Sequence, residues 1–196
     1  ANPVTLMKAI KTPAEIEGMK QSHIRDGAAM VKFLSWFEQQ YSSLPDSTTA
    51  TVDETTGKVN SPWNEYTIAE KLEEFRAQGD KFLQLSFDTI SSIGPNGAIV
   101  HYKPEIDTAA SVTSGNVYLL DSGAQYIDGT TDITRTFYIP SPTKPTPTAF
   151  QRDTFTRVLK GHINLASVLF PPNTMGPSLD VLARHALWNV GLNYAH

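Results

Sequence analysis

Val117-Tyr118-Leu119-Leu120-Asp121-Ser122-Gly123-Ala124-Gln125-Tyr126-Ile127-Asp128-Gly129-Thr130-Thr131-Asp132-Ile133-Thr134-Arg135-Thr136-Phe137 is the stretch that decides how this chain is read. An apolar run leads into Asp121, Asp128-Gly129 supplies a turn signal, and a Thr-rich, β-branched run then holds Asp132. The pattern predicts a β-hairpin over 115–126 and 131–139. Strands disfavour Asp, so two aspartates in one hairpin ask for a shared reason. Two carboxylates on rigid strands can hold one or two divalent cations between them. Asp-Ser-Gly also opens turns, so Asp121 taken alone is as much a turn-former as a ligand. Asp128 reads as the turn residue, whereas Asp132 has no turn residue after it. Register sets a condition. A turn centred on Asp128-Gly129 would put Asp132 opposite Gln125, four residues from Asp121. At about 3.3 Å per residue that is too far for a shared ion. Metal sharing then requires a wider loop or a bulge.

Outward from the hairpin, Thr12-Pro13-Ala14-Glu15 opens a helix: Thr12 caps, Pro13 suits the first helical position and Glu15 closes a capping box. Ile16, Met19, Ile24, Ala28, Val31, Leu34 and Phe37 give this helix an apolar stripe as far as about Gln40. Residues 42–61 are polar, rich in Ser and Thr and without periodicity, the composition of a flexible loop. A second helix is predicted from Thr67, with Glu70 in the capping-box place and Ile68, Leu72 and Phe75 inward. Phe82–Ile90 and Ala98–Tyr102 read as strands around the turn Ile93-Gly94-Pro95-Asn96-Gly97. Four prolines in Pro140–Pro147 end the hairpin's second strand. Thr148 and Gln151 cap a third helix carrying Phe150, Phe155, Leu159, Ile163 and Ala166, and a fourth runs after Ser178 to Gly191. Helices, then mainly antiparallel strands, then helices make the fold class α+β.

A chain of 196 residues suggests one domain with one sizeable core. A net charge of −4 with no Lys/Arg cluster argues against a nucleic-acid partner. No run of 18 apolar residues and no signal-peptide pattern is present, so nothing in it is expected to span or cross a membrane. The absence of cysteine excludes disulfides, thiolate catalysis and Cys-held zinc.

The hairpin run Asp121–Thr136, together with Thr89-Ile90-Ser91-Ser92-Ile93-Gly94-Pro95-Asn96-Gly97-Ala98-Ile99-Val100-His101-Tyr102 and Val158-Leu159-Lys160-Gly161-His162-Ile163, closely resembles the catalytic domain of Xaa-Pro aminopeptidase (aminopeptidase P) of the eukaryotic cytosolic type, peptidase family M24. The resemblance covers nearly the whole chain. It implies a pita-bread fold, of which residues 1–196 form the N-terminal half of the catalytic domain. The family's Gly-rich segment with a metal-binding histidine, and its two later glutamate ligands, are not in this chain. The implied activity is release of the N-terminal residue from peptides with proline second, by a cytoplasmic homodimer holding two divalent metal ions. Mn²⁺ is the expected metal, with Co²⁺ or Zn²⁺ as alternatives; oxygen-rich sites suit Mn²⁺.

By the same resemblance, Asp121 is a bidentate ligand of one metal and Asp132 bridges both. His101, which as a histidine at a strand end is ordinarily a polar surface residue, becomes a substrate-binding histidine. His196, ordinarily a frayed terminus, becomes a substrate or intermediate contact. Thr134 and Arg135 follow Asp132, and Arg135 either orients the bridging carboxylate or pairs at the surface. His162 reads as a helix-packing histidine, and Phe33, Trp36 and Phe37 as core or subunit contact. Prolidase and methionine aminopeptidase are the enzyme alternatives. A catalytically dead pita-bread module that binds peptides or histones is the non-enzyme one. Retention of Asp121 and Asp132 argues against the last. With only two carboxylates of that ligand set, the chain alone is expected to be inactive.

Overall fold

Thr12 begins the longest helix as its sequence predicts. In the computed structural model, which describes residues 2–195, its side chain accepts from Glu15 N and the Glu15 carboxylate accepts from Thr12 N. This helix, α2 (Pro13–Gln40), follows a short α1 (Pro3–Ala9) capped by Asn2. The remaining elements are α3 (Glu65–Ala77), β1 (Phe82–Leu85), β2 (Ile90–Ile93), β3 (Asn116–Ser122), β4 (Ala124–Tyr126), β5 (Gly129–Thr130), β6 (Ile133–Ile139), α4 (Ala149–Ser167) and α5 (Asp180–Trp188). The chain divides into two units, 1–145 and 146–196.

In the first unit the strands form two antiparallel sheets, ordered β2-β3-β6 and β1-β4-β5. Strand β3 alternates, burying Tyr118, Leu120 and Ser122 and leaving Val117, Leu119 and Asp121 half-buried. The buried face meets α2 and α3 in a core of Phe33, Phe37, Ile68, Leu72, Val112, Tyr118, Leu120 and Ile139. Phe33, Trp36 and Phe37 are part of this aromatic packing, Phe33 and Phe37 at 5.8 Å between ring centroids. The buried stripe of α2 is Ser22, Asp26, Ala29, Met30, Phe33 and Phe37. The expected stripe is therefore corrected over most of its length: Ile16, Met19, Ile24, Ala28 and Val31 are exposed. Of the polar pair on the true stripe, Ser22 donates to Met19 O at 2.8 Å one turn back, and Asp26 is satisfied from afar. Asp26 accepts from Arg76 Nε at 2.8 Å, from Arg76 Nη2 at 3.1 Å and from Tyr126 Oη at 3.0 Å.

Helix α3 starts two residues before the expected Thr67. Asn64 is its cap, accepting from Thr67 N at 2.8 Å while the Thr67 hydroxyl accepts from Asn64 N. The expected strand Phe82–Ile90 is two strands in different sheets, and the expected strand Ala98–Tyr102 is instead the end of a 3-10 helix over Gly94–Ala98 followed by a turn. Residues 42–61 hold a short 3-10 turn and isolated bridges. Asp46 ties this segment down, accepting from Thr48 and Thr143, and Ser61 Oγ donates to Val112 O at 2.7 Å.

In the second unit α4 is capped by Thr148 and Gln151 as predicted. It packs against α5 so closely that a Cβ on Gly161 would sit 2.0 Å from Ala183 O. His162 is exposed rather than packed, since Gly161 is the buried residue of α4. Helix α5 ends at Trp188, and Gly191 follows at φ 70°, the left-handed conformation glycine permits at a helix end.

Candidate metal centre

The two aspartates are brought together by a change in where the hairpin turns. Tyr126 pairs with Gly129, so the loop is Ile127-Asp128 and not Asp128-Gly129. Gly129 takes the fourth position, where type I turns favour glycine. Asp128 is drawn into the turn by two cations: its carboxylate accepts from Arg25 of α2 and from Lys81 Nζ at 2.8 Å. These contacts hold its acid below the usual carboxylate range, the Lys81 hydrogen bond first and the Arg25 charge after it. Ile127 N donates to Lys81 O at 3.0 Å and completes the anchor.

The earlier turn shifts the register. Ser122 faces Ile133, Asp121 faces Thr134, and beyond the break between the two ladders Gln125 faces Thr130. The same register on both sides of the break means that no residue is inserted, so Asp132 falls opposite Gly123, two positions from Asp121. Neither the wider loop nor the bulge expected from the sequence is needed. Side chains alternate with period two, so Asp132 shares a face with Thr134 and Asp121.

Gly123 is required at the crossing itself. A Cβ there would lie 2.1 Å from Thr131 O and 2.3 Å from Ser86 Oγ. Ser86 bridges the two arms of the hairpin, its N donating to Gly123 O at 3.1 Å and its hydroxyl to Thr131 O at 3.0 Å. Thr131 replaces a lost ladder bond, its hydroxyl accepting from Ala124 N at 3.0 Å.

Asp121 is half-buried and Asp132 exposed. The Thr134 hydroxyl donates to Asp121 Oδ1 at 2.8 Å. Arg135 stands opposite the fully buried Leu120, on the other face, and its guanidinium donates to Thr134 O at 2.8 Å. The register therefore brings Asp121, Asp132 and Thr134 together and sets Arg135 apart. Hard carboxylate oxygens suit Mn²⁺ or Mg²⁺, and no cluster of three His, Cys, Asp or Glu occurs among the described residues. The pair fits part of a cation shell. His101 is exposed in the turn after the 3-10 helix, at φ 53°. His196 lies outside the described residues.

Sequence reading missed Glu65. This carboxylate is fully buried and accepts from Ile93 N, Asn96 Nδ2, Tyr102 Oη and Ala110 N. Its one sequence signal is its place directly after Asn64 in the alternative capping box Asn64-Glu65-Tyr66-Thr67.

The model of metallopeptidase family M24 matches residues 17–196. Xaa-Pro aminopeptidase 1 of Dictyostelium discoideum is 48% identical over 195 residues, covering 100% of this chain and 28% of that protein. Aminopeptidase P1 of Lotus japonicus is 46% identical over 202 residues, covering 100% of this chain and 30% of that protein. This chain thus spans under a third of the length of these relatives. Among solved structures, the X-prolyl aminopeptidase of Caenorhabditis elegans, described as a cytosolic enzyme with a di-nuclear active site, is similar with a TM-score of 0.77 and 41% identity over 97% of this chain and 28% of that one. The shared α+β architecture is that of the pita-bread fold. A family match over nearly the whole chain, around two co-facial aspartates, means that this chain belongs to metallopeptidase family M24.

Proposed function

We propose that this chain is the first half of the catalytic domain of a metal-dependent Xaa-Pro aminopeptidase. The complete protein releases the N-terminal residue from peptides whose second residue is proline. The observation that carries this reading is the hairpin register, Asp121 opposite Thr134 and Gln125 opposite Thr130, from which Asp132 follows two positions from Asp121. End-to-end similarity to relatives named for this activity supports it.

Asp121 and Asp132 are the ligands this chain supplies to a site for two divalent ions, with Mn²⁺ preferred for its oxygen-rich shell. When bound, such a pair of ions lowers the pKa of water and polarises the scissile carbonyl. The chain's own residues prepare for this. Thr134 fixes the Asp121 carboxylate by its hydroxyl. Ser86 and Gly123 hold the two arms at the register that aligns the aspartates. His101 faces the substrate, and His196 donates to the developing oxyanion. The resemblance further supports a cytoplasmic homodimer paired through its catalytic domains. No helix among the described residues is long and apolar enough to cross a membrane.

A peptide panel on the complete protein with added Mn²⁺ tests the reading. Cleavage of Xaa-Pro-Xaa tripeptides, with little action on Xaa-Pro dipeptides or on Met-Ala-Xaa peptides, is the expected result. Preference for the dipeptide would make it a prolidase, and binding without cleavage would make it a recognition module.

A further inference from the structure

Glu65 is a fully buried carboxylate with four donors. Its Oε1 accepts from Ile93 N at 2.7 Å and Asn96 Nδ2 at 3.0 Å; its Oε2 accepts from Tyr102 Oη at 2.6 Å, Ala110 N at 2.9 Å and Asn96 Nδ2 at 3.2 Å. Asn96 Nδ2 also lies 3.1 Å from Tyr102 Oη, closing a ring. Burial, and then the Glu65 carboxylate, hold the Tyr102 hydroxyl well above the ordinary phenol range, so it stays protonated and donates. The backbone of Glu65 is held as well: its carbonyl accepts from Ser91 Oγ at 2.6 Å.

Three of these donors are the two ends and the middle of one excursion of the chain, and the fourth, Ala110 N, lies beyond it. Ile93 ends β2, Asn96 sits in the 3-10 helix, and Tyr102 closes the turn whose other residues are Ile99, Val100 and His101. That turn is short, with Tyr102 N donating to Ile99 O at 3.2 Å. His101 within it has φ 53°, a left-handed conformation that L-residues seldom keep unless the surroundings over-determine it. The neighbour that fixes it covalently, Tyr102, is itself pinned by the buried carboxylate.

We propose that Glu65 is a positioning residue for the active site: through Asn96 and Tyr102 it holds the 93–102 segment so that His101 is presented to the substrate. This deepens the aminopeptidase reading and rests on it for the role of His101. A charge-assisted hub of this kind is costly to break, because each lost bond strands a buried donor. Its loss would let the turn relax from the left-handed conformation, and displacements of about 1 Å at a catalytic group can cost about 10²-fold in rate.

The test is a double-mutant cycle in the complete, Mn²⁺-loaded protein, reading kcat, KM and bound metal on an Xaa-Pro tripeptide. Glu65→Gln keeps the volume and turns one acceptor into a donor. It is expected to lower kcat by about 10–100-fold with metal content unchanged. In a His101→Ala background the same change is expected to cost less than about 2-fold further, because it acts through the side chain already removed. A general packing defect would instead multiply with His101→Ala. Where Glu65→Gln does not fold, Tyr102→Phe removes one donor from the hub and carries the same cycle. Unchanged kcat in the variant used, or full multiplicativity with His101→Ala, overturns the proposal. An unchanged kcat for His101→Ala alone overturns the underlying reading of His101 instead, so the two failures are told apart.

Discussion

Thr134 stands across from Asp121 and gives it a hydroxyl at 2.8 Å. Oδ1 of Asp121 is thereby oriented before any ion arrives, and a fixed ligand loses less freedom on binding. Hydrogen bonds to a ligand of this kind typically contribute about 10–100-fold in metal affinity. Thr134→Val in the complete protein is therefore expected to weaken Mn²⁺ binding by about that factor, with activity recovered at saturating Mn²⁺. Calorimetric titration checks the affinity, and Thr134→Ser should restore it. Arg135 is the built-in control. It lies on the opposite sheet face, with its guanidinium on the Thr134 carbonyl, so Arg135→Ala should leave Mn²⁺ affinity unchanged. A loss matching that of Thr134→Val would mean that the register argument places the faces wrongly. Asp132→Asn keeps volume but removes a charge that two cations need, and is expected to abolish activity with unchanged near-ultraviolet circular dichroism. Retained turnover at full metal occupancy would refute Asp132 as a ligand.

At the scale of elements, the hairpin depends on an ion-paired turn. Asp128 joins Arg25 on α2 to Lys81 before β1, and its acid is held below the usual range. Because the folded-state pKa is the lower one, this link stabilises fully above the ordinary carboxylate value of about 3.9. It fades as pH falls through the lower folded value. Asp128→Asn should therefore lower the thermal midpoint of the complete protein at pH 7, and the difference between the two proteins should shrink as the medium is taken below the ordinary carboxylate value. A difference that persists undiminished at acid pH would exclude the carboxylate as its cause. The same turn shows where sequence reading stops. The hairpin and both capping boxes at Thr12 and Thr148 were legible, because each depends on neighbours within a few residues. The turn's position was not, since Arg25 and Lys81 that draw Asp128 inward lie far away in sequence. The buried stripe of α2 was lost for a similar reason: Ser22 and Asp26 look solvent-facing until Arg76 and Tyr126 are placed beside Asp26. For α3, Thr67 fits two capping boxes, and the earlier one sets Glu65 in the first turn, where it reaches Ile93 and Ala110. Glu65 also accepts from Tyr102 Oη at 2.6 Å, at the end of the 98–102 turn, a contact that local reading of Ile99-Val100 as a strand does not reveal.

For the whole molecule, the sheet β2-β3-β6 ends at β6, and no strand among the described residues pairs with its outer edge. An unpaired edge recruits other chains unless it is blocked. Apolar side chains are exposed on α2 at Ile16, Ile24 and Val31, and on α4 at Phe150, Phe155 and Ile163. A 700 Å³ cleft lined by Ile16, Met19 and Ile127 adds to the uncovered apolar surface of the first unit. Surface of this extent marks faces that are normally covered or prone to association. The proposed metal site is incomplete in the same way: two carboxylates cannot fill the shells of two cations, and a hydrated ion surrenders its waters only to a richer ligand set. Residues 1–196 alone are therefore expected to associate in solution, to bind Mn²⁺ more weakly than micromolar, and to cleave no Xaa-Pro peptide. Light scattering, calorimetry with Mn²⁺ and a tripeptide assay on that polypeptide check the three outcomes separately. Association without metal binding fits an incomplete site on a folded half. Micromolar Mn²⁺ binding or measurable cleavage would show that these residues, without further ligands, already complete a working centre, and would overturn the assignment of Asp121 and Asp132 as only part of a larger ligand set.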